Sequence, residues 1–348
     1  MGTQIMPKGK RTPLFSRKRV MHILHIVLLI IAQIVMAAII GVALLRYGPF
    51  TNTRNFIIGS SMSSFSHQYI AKLLFSQAQI DAVTQKKNTS IGSRQDINAV
   101  NPTGTNDNSI VLSKIGDGLQ GYALEIKNPL RIHVACTSYI GQRGEFVSTL
   151  AEKNDAIAAI NGGGFSTGED TTGTGAIPSD FVFSKGKLLW KDPSVQTNKL
   201  PATDKDAALN VVALNSKGVL IVGDYTIDQL KKMDITEAVD LHGYSPLVTG
   251  GKVQYTDDAG KGIQPRTAIG QKKDGTIVFL VIDGRQSSTS GAKLNQIADL
   301  LADQYQCWTA ANLDGGASTS MYYQGNIINK PSAIFGERTV ATAFYVSK

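Results

Sequence analysis

Apolar residues are arranged along the chain first as one unbroken block and then as short runs bounded by turn residues. Residues 23–45 read ILHIVLLIIAQIVMAAIIGVALL, with no charged residue. At about 1.5 Å per residue a helix over this block spans about 35 Å, enough for the ~30 Å hydrocarbon layer of a bilayer. The apolar region of a cleaved signal peptide is shorter, about 7–15 residues, and ends in a small-residue cleavage site. This block runs instead into Leu44-Leu45-Arg46-Tyr47. The pattern predicts an uncleaved transmembrane signal-anchor helix over 23–45. Six Lys/Arg precede it and few follow closely. The positive-inside rule then puts residues 1–22 in the cytoplasm as a basic tail and the rest of a single-pass cell-membrane protein outside.

Beyond the block, residues 51–109 are rich in Ser, Asn, Thr and Gln. An amphipathic helix is expected over 67–80, either beside the membrane or packed on the domain. Residues 86–108 have the turn-forming, weakly apolar composition of a stalk. Residues 46–109 thus form a juxtamembrane helix and stalk, and 110–348 the extracellular domain. Within that domain β-branched, turn-bounded runs predict strands at 122–126, 130–135, 156–160, 209–214, 219–222, 276–282 and 340–346. Helical spacing marks 144–154 and 292–306, the latter with Leu294, Ile297, Ala298 and Leu301 on one side. Strands outnumber helices without alternating regularly. The expected fold class is α+β, a mixed β-sheet domain with a few packed helices, preceded by the transmembrane helix.

Charge changes little once it is located. The chain carries 35 Lys/Arg against 27 Asp/Glu, a net +8, but residues 1–80 hold nine of the basic residues and no acidic one. The remainder is close to neutral, so a basic nucleic-acid-binding face is not expected. Two cysteines, Cys136 and Cys307, exclude a disulfide-built scaffold and are expected to be unpaired. Of five histidines only His133 and His242 fall in the domain, and none follows Ser318. The Ser–Asp–His order of an α/β-hydrolase therefore fails. There is no phosphate-binding P-loop, no H-E-x-x-H and no EF-hand loop, and nitrogen and sulfur ligands for zinc are scarce.

What remains is a set of Asp, Asn, Arg and Gly residues at strand ends. The run AIAAI followed by Asn161-Gly162-Gly163-Gly164 is echoed by AANL followed by Asp314-Gly315-Gly316. Both are apolar strands entering turns where backbone amides can face a ligand closely. The apolar strand TIVFLVI ends in Asp283-Gly284-Arg285, Pro265-Arg266 precedes it, and Glu337-Arg338 precedes the last strand. A carboxylate leaving an apolar strand needs a partner or a role, although an Asp–Gly step alone also reads as an ordinary turn. Two such steps, an Asn–Gly–Gly step and three arginines together point to a site.

The segments NGGGFS, PLVTGGK, PRTAIG, DGRQ, NLDGGAS and ERTVATAF occur here in the order and spacing of the phosphodiester glycosidase family. The resemblance covers residues 141–345, with Ala317 where many members carry a third Gly and Gly164 where many carry Phe. It implies hydrolysis of a sugar-1-phosphodiester at its glycosidic C–O bond. Carried onto this chain, it makes Asp283, Asp314 and Glu337 the candidate catalytic carboxylates. Arg266 and Arg285 would clamp phosphate, with Arg338 in reserve. Asn161, Gly162, Gly163, Gly315 and Gly316 would orient sugar or phosphate, and Ser318 and Thr319 would hydrogen-bond the ligand. The chemistry is consistent: a phosphate leaving group needs cationic bidentate donors more than protonation, and a carboxylate stabilises the oxocarbenium-like centre. No motif demands a cofactor; a divalent cation, Ca2+ or Mg2+, between carboxylate and phosphate is the one candidate. The expected substrates are N-acetylglucosamine-1-phosphodiester-like linkages in envelope or exopolysaccharide polymers. The alternative is a non-catalytic module that binds sugar-phosphate polymer during exopolysaccharide or wall assembly.

Overall fold

A computed structural model of the full chain describes residues 17–62, 68–84, 95–116, 118–166, 174–198, 211–241, 246–255, 262–333 and 336–348. The chain divides into two units, Met1–Arg54 and Asn55–Lys348. The first carries one long helix, Arg17–Tyr47, which contains the whole expected span. Its Met21–Tyr47 portion is long and apolar enough to cross a membrane, and none of it is buried by protein. Leu29 and Ile34 are each 64% exposed. Apolar area of this kind costs about 25 cal/mol per Å2 in water, a cost that a bilayer removes. Most of the expected basic tail, residues 1–16, lies outside the described residues.

The second unit is built on three antiparallel sheets. The largest runs in the order Ile110–Ile115, Gly121–Ile126, Ile277–Ile282, Arg266–Lys272, Cys307–Asn312, Pro246–Thr249 and Lys252–Val253. A second runs Leu220–Gly223, Val211–Asn215, Ile235–Asp240, Phe181–Ser184 and Lys187–Lys191. The third runs Asn326–Ile327, Met321–Tyr323, Ala156–Asn161, Thr342–Ser347 and Ile132–Cys136. One central core draws on all three, with Leu124 and Phe279 from the first, Val212 and Val239 from the second, and Ile160 and Phe344 from the third. The outer faces follow from strand alternation, because successive side chains point to opposite sides. Ala268, Leu280 and Ala310 face the helix Leu294–Asp299. Ala213, Ile221 and Ala238 face the helix Ile227–Lys232. Ala135, Ala159 and Tyr345 face the helix Val147–Lys153. The chain is thus α+β, with each sheet backed by one short helix and all three sharing an interior.

Most expected strands lie within a few residues of where the pattern puts them, although residues 209–210 of the 209–214 run lie outside the described residues. Phe181–Ser184, Ile235–Asp240 and Arg266–Lys272 were not expected as strands. Both faces of Phe181–Ser184 are buried, so it shows no polar alternation. The 292–306 helix is shorter than expected: Leu294–Asp299 gives way to one π-helical turn, Leu300–Gln304.

The expected stalk is corrected where the structure describes it. Gln95 is buried, and its side chain bonds the edge strand Leu220–Gly223, donating to Leu220 O at 2.6 Å and accepting from Val222 N at 3.1 Å. Asn101 N and Thr103 N donate to Lys273 O and Asp274 O. Residues 95–108 are therefore part of the domain, while 85–94 lie outside the described residues. The expected 67–80 helix is two, Gln68–Leu74 and Gln77–Thr84, with Ala71, Ile80 and Val83 buried; residue 67 is not described.

Candidate functional site

Two of the sheets end together. In the largest, Arg266 pairs with Ile282 and Ala268 with Asn312, so Asp283 and Asp314 leave the same end of the sheet from two strands that flank Arg266–Lys272. In the third, Asn161 ends its strand beside Ala343. Its side chain is fully buried and joins the two sheets. Asn161 Nδ2 donates to Asp314 O at 2.6 Å, and Oδ1 accepts from Thr267 Oγ1 at 2.8 Å and from Ser320 N at 3.2 Å. The turn beginning at Asp314 is therefore pinned by a side chain 153 residues away.

Asp314 is half-buried. Burial raises its pKa above the ordinary carboxylate value, and the Ser318 hydroxyl, Arg338, the Gly315 amide and Arg285 each pull it partly back. Two guanidinium groups thus act on this one carboxyl. Gly316 sits at φ +62°, and a Cβ there would lie 3.2 Å from Arg285 Nη1, so the turn takes glycine both for its backbone angle and to leave the guanidinium room. Gln264 Oε1 accepts from Arg285 Nη2 at 3.1 Å. Arg338 stands with its guanidinium carbon 4.9 Å from the Phe165 ring centroid.

Asp283 is 7% exposed. Its Oδ1 accepts from Asn329 Nδ2 and Lys330 N, each at 3.0 Å. Burial raises its pKa, and those two donors oppose the rise. Asn329 Nδ2 also donates to Thr319 O at 3.2 Å, and Thr319 N donates to Gly316 O. A chain of hydrogen bonds therefore links Asp283 to the Asp314 turn. Two hydroxyls of that turn, Thr319 Oγ1 and Ser320 Oγ, are buried and have no hydrogen-bond partner among the described residues.

Several expected roles are corrected. Arg266 is 1% exposed, with Nε donating to Ala292 O at 3.0 Å and Nη2 to Gly262 O at 2.7 Å. It braces two loops from inside instead of facing a phosphate. Glu337 is held by the protein: it accepts from Ser148 N at 3.1 Å and from Ser148 Oγ, at the first turn of the Val147–Lys153 helix. Asn161 is fully engaged with protein groups and does not orient sugar. The glycine amides are engaged as well: Gly162 N donates to Thr342 O, Gly163 N to Thr342 Oγ1 and Gly316 N to Pro265 O. A Cβ at Gly163 would lie 2.3 Å from Asp240 O, so this glycine serves a close backbone crossing. The Gly315 amide bonds the Asp314 carboxyl.

The residues the structure brings together are Asp283, Asp314, Arg285, Arg338, Gly315, Gly316, Ser318 and Thr319. The sequence reading missed Gln264, Asn329 and Phe165 as contributors. Only Phe165 carried a signal, as the aromatic inside NGGGFS.

His133 lies elsewhere, its Nδ1 3.1 Å from Glu237 Oε1, and His242 falls outside the described residues. Both cysteines are free thiols, and burial pushes each pKa up to about 12, far from thiolate chemistry. No three His, Cys, Asp or Glu side chains converge among the described residues.

Comparison with known proteins follows the same residues. Residues 154–347 match the profile of the family described as phosphodiester glycosidase. The chain is 26% identical over 208 residues to the SPbeta prophage-derived uncharacterized protein YomE of Bacillus subtilis (strain 168). That match takes in 56% of this chain and 29% of YomE, so the chain spans less than a third of that relative's length. Among solved structures, the zebrafish N-acetylglucosamine-1-phosphodiester alpha-N-acetylglucosaminidase catalytic domain, auto-inhibited by its pro-peptide, superposes with a TM-score of 0.55. It is 21% identical, over 77% of this chain and 92% of that one, and the likeness is one of fold. The stretch that matches the profile is more than half of the sequence and holds both aspartates and all three arginines, and the chain belongs to the phosphodiester glycosidase family.

Proposed function

We propose that this protein is a membrane-anchored, extracytoplasmic hydrolase that cleaves the glycosidic bond of sugar-1-phosphodiesters in envelope or exopolysaccharide polymers. The observation that carries the reading is the Asp314 turn, where Gly316 leaves room for the Arg285 guanidinium and hydrogen bonds through Asn329 and Thr319 tie in the Asp283 carboxyl. An N-acetylglucosamine-1-phosphodiester is the substrate class named for the zebrafish relative, and its phosphate is the kind of anion that guanidinium groups bind.

In the proposed reaction the bond from the anomeric carbon to the phosphate oxygen breaks, and its electron pair leaves with the phosphate. Arg285 and Arg338 take up that charge, so no acid is needed on the leaving group. Water adds to the anomeric carbon, and its proton passes to an aspartate. Burial fits Asp314 for this, because a raised pKa makes it a better proton acceptor near neutral pH than an ordinary carboxylate. Asp283 supplies the second carboxyl, held in place by Asn329 and the Lys330 amide.

Incubation of the full chain in detergent micelles with a panel of sugar-1-phosphodiesters, with and without chelator, should release free sugar and a phosphomonoester. Arg285→Lys should lower kcat/KM about 100-fold, because a point charge replaces a planar fork in a preorganised site. Tight binding without any released sugar would reject the hydrolase in favour of a binding module. The anchor is tested separately. The full chain should stay in the membrane pellet after alkaline carbonate extraction, while a chain lacking 1–54 should not; release of the full chain would reject spanning.

A further inference from the structure

Arg338 is held from two sides by residues that no part of the proposed reaction uses. On one side is Glu337, whose carboxylate is tethered to Ser148 N and Ser148 Oγ. Ser148 belongs to the helix Val147–Lys153, which buries Val147 and Leu150 in the cluster behind the third sheet. On the other side is Phe165, which packs on that same cluster and whose backbone pairs with Pro178. The Arg338 guanidinium lies over the Phe165 ring, 4.9 Å from its centroid. The backbone that follows is fixed too: Thr339 Oγ1 donates to Thr174 O at 2.9 Å, and Val340 N to Glu145 O at 2.9 Å. Thus the residue before Arg338, the ring beneath it and the two residues after it are all anchored to packed structure.

We propose that Phe165 and Glu337 are positioning residues for Arg338, which together hold its guanidinium at the Asp314 turn, ready to meet an anionic substrate. This rests on the reading of Arg338 as half of the phosphate clamp. The physical reason is entropic. A free arginine side chain loses several rotatable bonds when it binds, and a ring face plus a tethered neighbour remove that loss beforehand. The ring face also attracts the cation directly. In keeping with this arrangement, Arg338 is among the groups that lower the Asp314 pKa. Glu337, a carboxylate that sequence reasoning makes catalytic, thereby acquires a different task.

The test uses the full chain in micelles, with N-acetylglucosamine 1-(methyl phosphate) as probe. Phe165→Leu should raise KM and lower kcat/KM about 10-fold, the size of a desolvated cation–π contact. Phe165→Trp should restore the wild-type value. The acidic limb of the kcat/KM profile should move to higher pH in Phe165→Leu, Glu337→Ala and Arg338→Gln alike, because Asp314 then loses a nearby positive charge. A readout independent of turnover is the Arg338 Nε–H resonance in 15N-arginine-labelled protein, assigned by its absence in Arg338→Gln. It should be shifted upfield by the ring and return to the ordinary position in Phe165→Leu. Kinetics and resonance unchanged in Phe165→Leu would overturn the proposal, as would failure of Phe165→Trp to restore either. If Arg338→Gln costs nothing while the wild type turns the probe over, the clamp reading falls. If the wild type neither binds nor hydrolyses the probe, the hydrolase reading falls, and the resonance alone decides whether Phe165 holds Arg338.

Discussion

Asp314→Asn should cut turnover of a sugar-1-phosphodiester about 1,000-fold, the scale on which a positioned proton acceptor contributes, while raising the melting temperature at pH 7.5. The two effects share one cause. Burial is the largest influence on the Asp314 carboxyl and raises its pKa above the unfolded value. Between the unfolded and folded pKa values the folded state holds a proton that the unfolded chain releases. Stability contributed by this group therefore falls as pH rises through that window. Above it, the native fold carries the full cost of an ionised, poorly solvated carboxylate. Asparagine has nearly the same shape and no charge, so it removes that cost. It also gives up the attraction to Arg338 and Arg285, which works the other way but is the smaller influence. The melting-temperature gap between variant and wild type should accordingly close as pH is lowered toward about 4, where the unfolded carboxyl is itself half protonated. Thermal scans from pH 4 to 8 and initial rates at pH 7 check both halves. Unchanged turnover would make Asp314 a turn residue. A lower melting temperature at pH 7.5 would make it one half of a structural ion pair.

What the sequence reveals about this site depends on whether a residue's partner is near or far along the chain. The strands 156–160 and 276–282 are readable because β-branched and small apolar runs are bounded by Asn, Asp and Gly. Asn161 and Asp283, which leave their ends, Asp314 after its own apolar run, and the nearby Arg285 are readable as chemistry for the same reason. Which polar groups then turn toward a ligand is not readable. Arg266 and Arg285 look alike in sequence, each beside an apolar strand. Carbonyls of Gly262 and Ala292 take the Arg266 guanidinium, and a carbonyl leaves no mark in the sequence. Glu337 looks catalytic until Ser148, 189 residues earlier, is seen to occupy it. The Gly162 and Gly163 amides look open until Thr342 arrives from the last strand. Neutral amides such as Gln264 and Asn329 carry no pattern at all, yet they hold Arg285 and Asp283. Local residue types thus mark where chemistry gathers. The distant half of each hydrogen bond decides which members of the group are left facing outward.

Asn161 shows the energetic weight of such a distant partner, and Asn161→Ala is expected to be the most destabilising polar substitution at the site. Its side chain is fully buried and satisfies three groups: the Asp314 carbonyl, the Thr267 hydroxyl and the Ser320 amide. Truncation leaves all three unpaired in the interior, at about 1–3 kcal/mol each before relaxation. Some of that is recovered if water enters the space, so a net loss of about 4 kcal/mol is expected. For a domain of this size that corresponds to about 10 °C in melting temperature. Turnover should fall as well, because the turn that carries Asp314 loses the side-chain part of its link to the neighbouring sheet and keeps only the bond from Asp314 N to Gly162 O. Asn161→Asp separates the donor from the acceptor role. The aspartate can still accept from Thr267 and Ser320, but its ionised carboxyl cannot donate to Asp314 O and instead sets a negative charge against that carbonyl. Its destabilisation should therefore shrink as pH falls and the carboxyl protonates, since the acid can then donate. Asn161→Ala should show no such recovery. A melting temperature within about 2 °C of wild type for Asn161→Ala, or a pH-independent deficit for Asn161→Asp, would mean that the Asp314 turn is held by its own glycine-rich backbone and not by the strand that faces it.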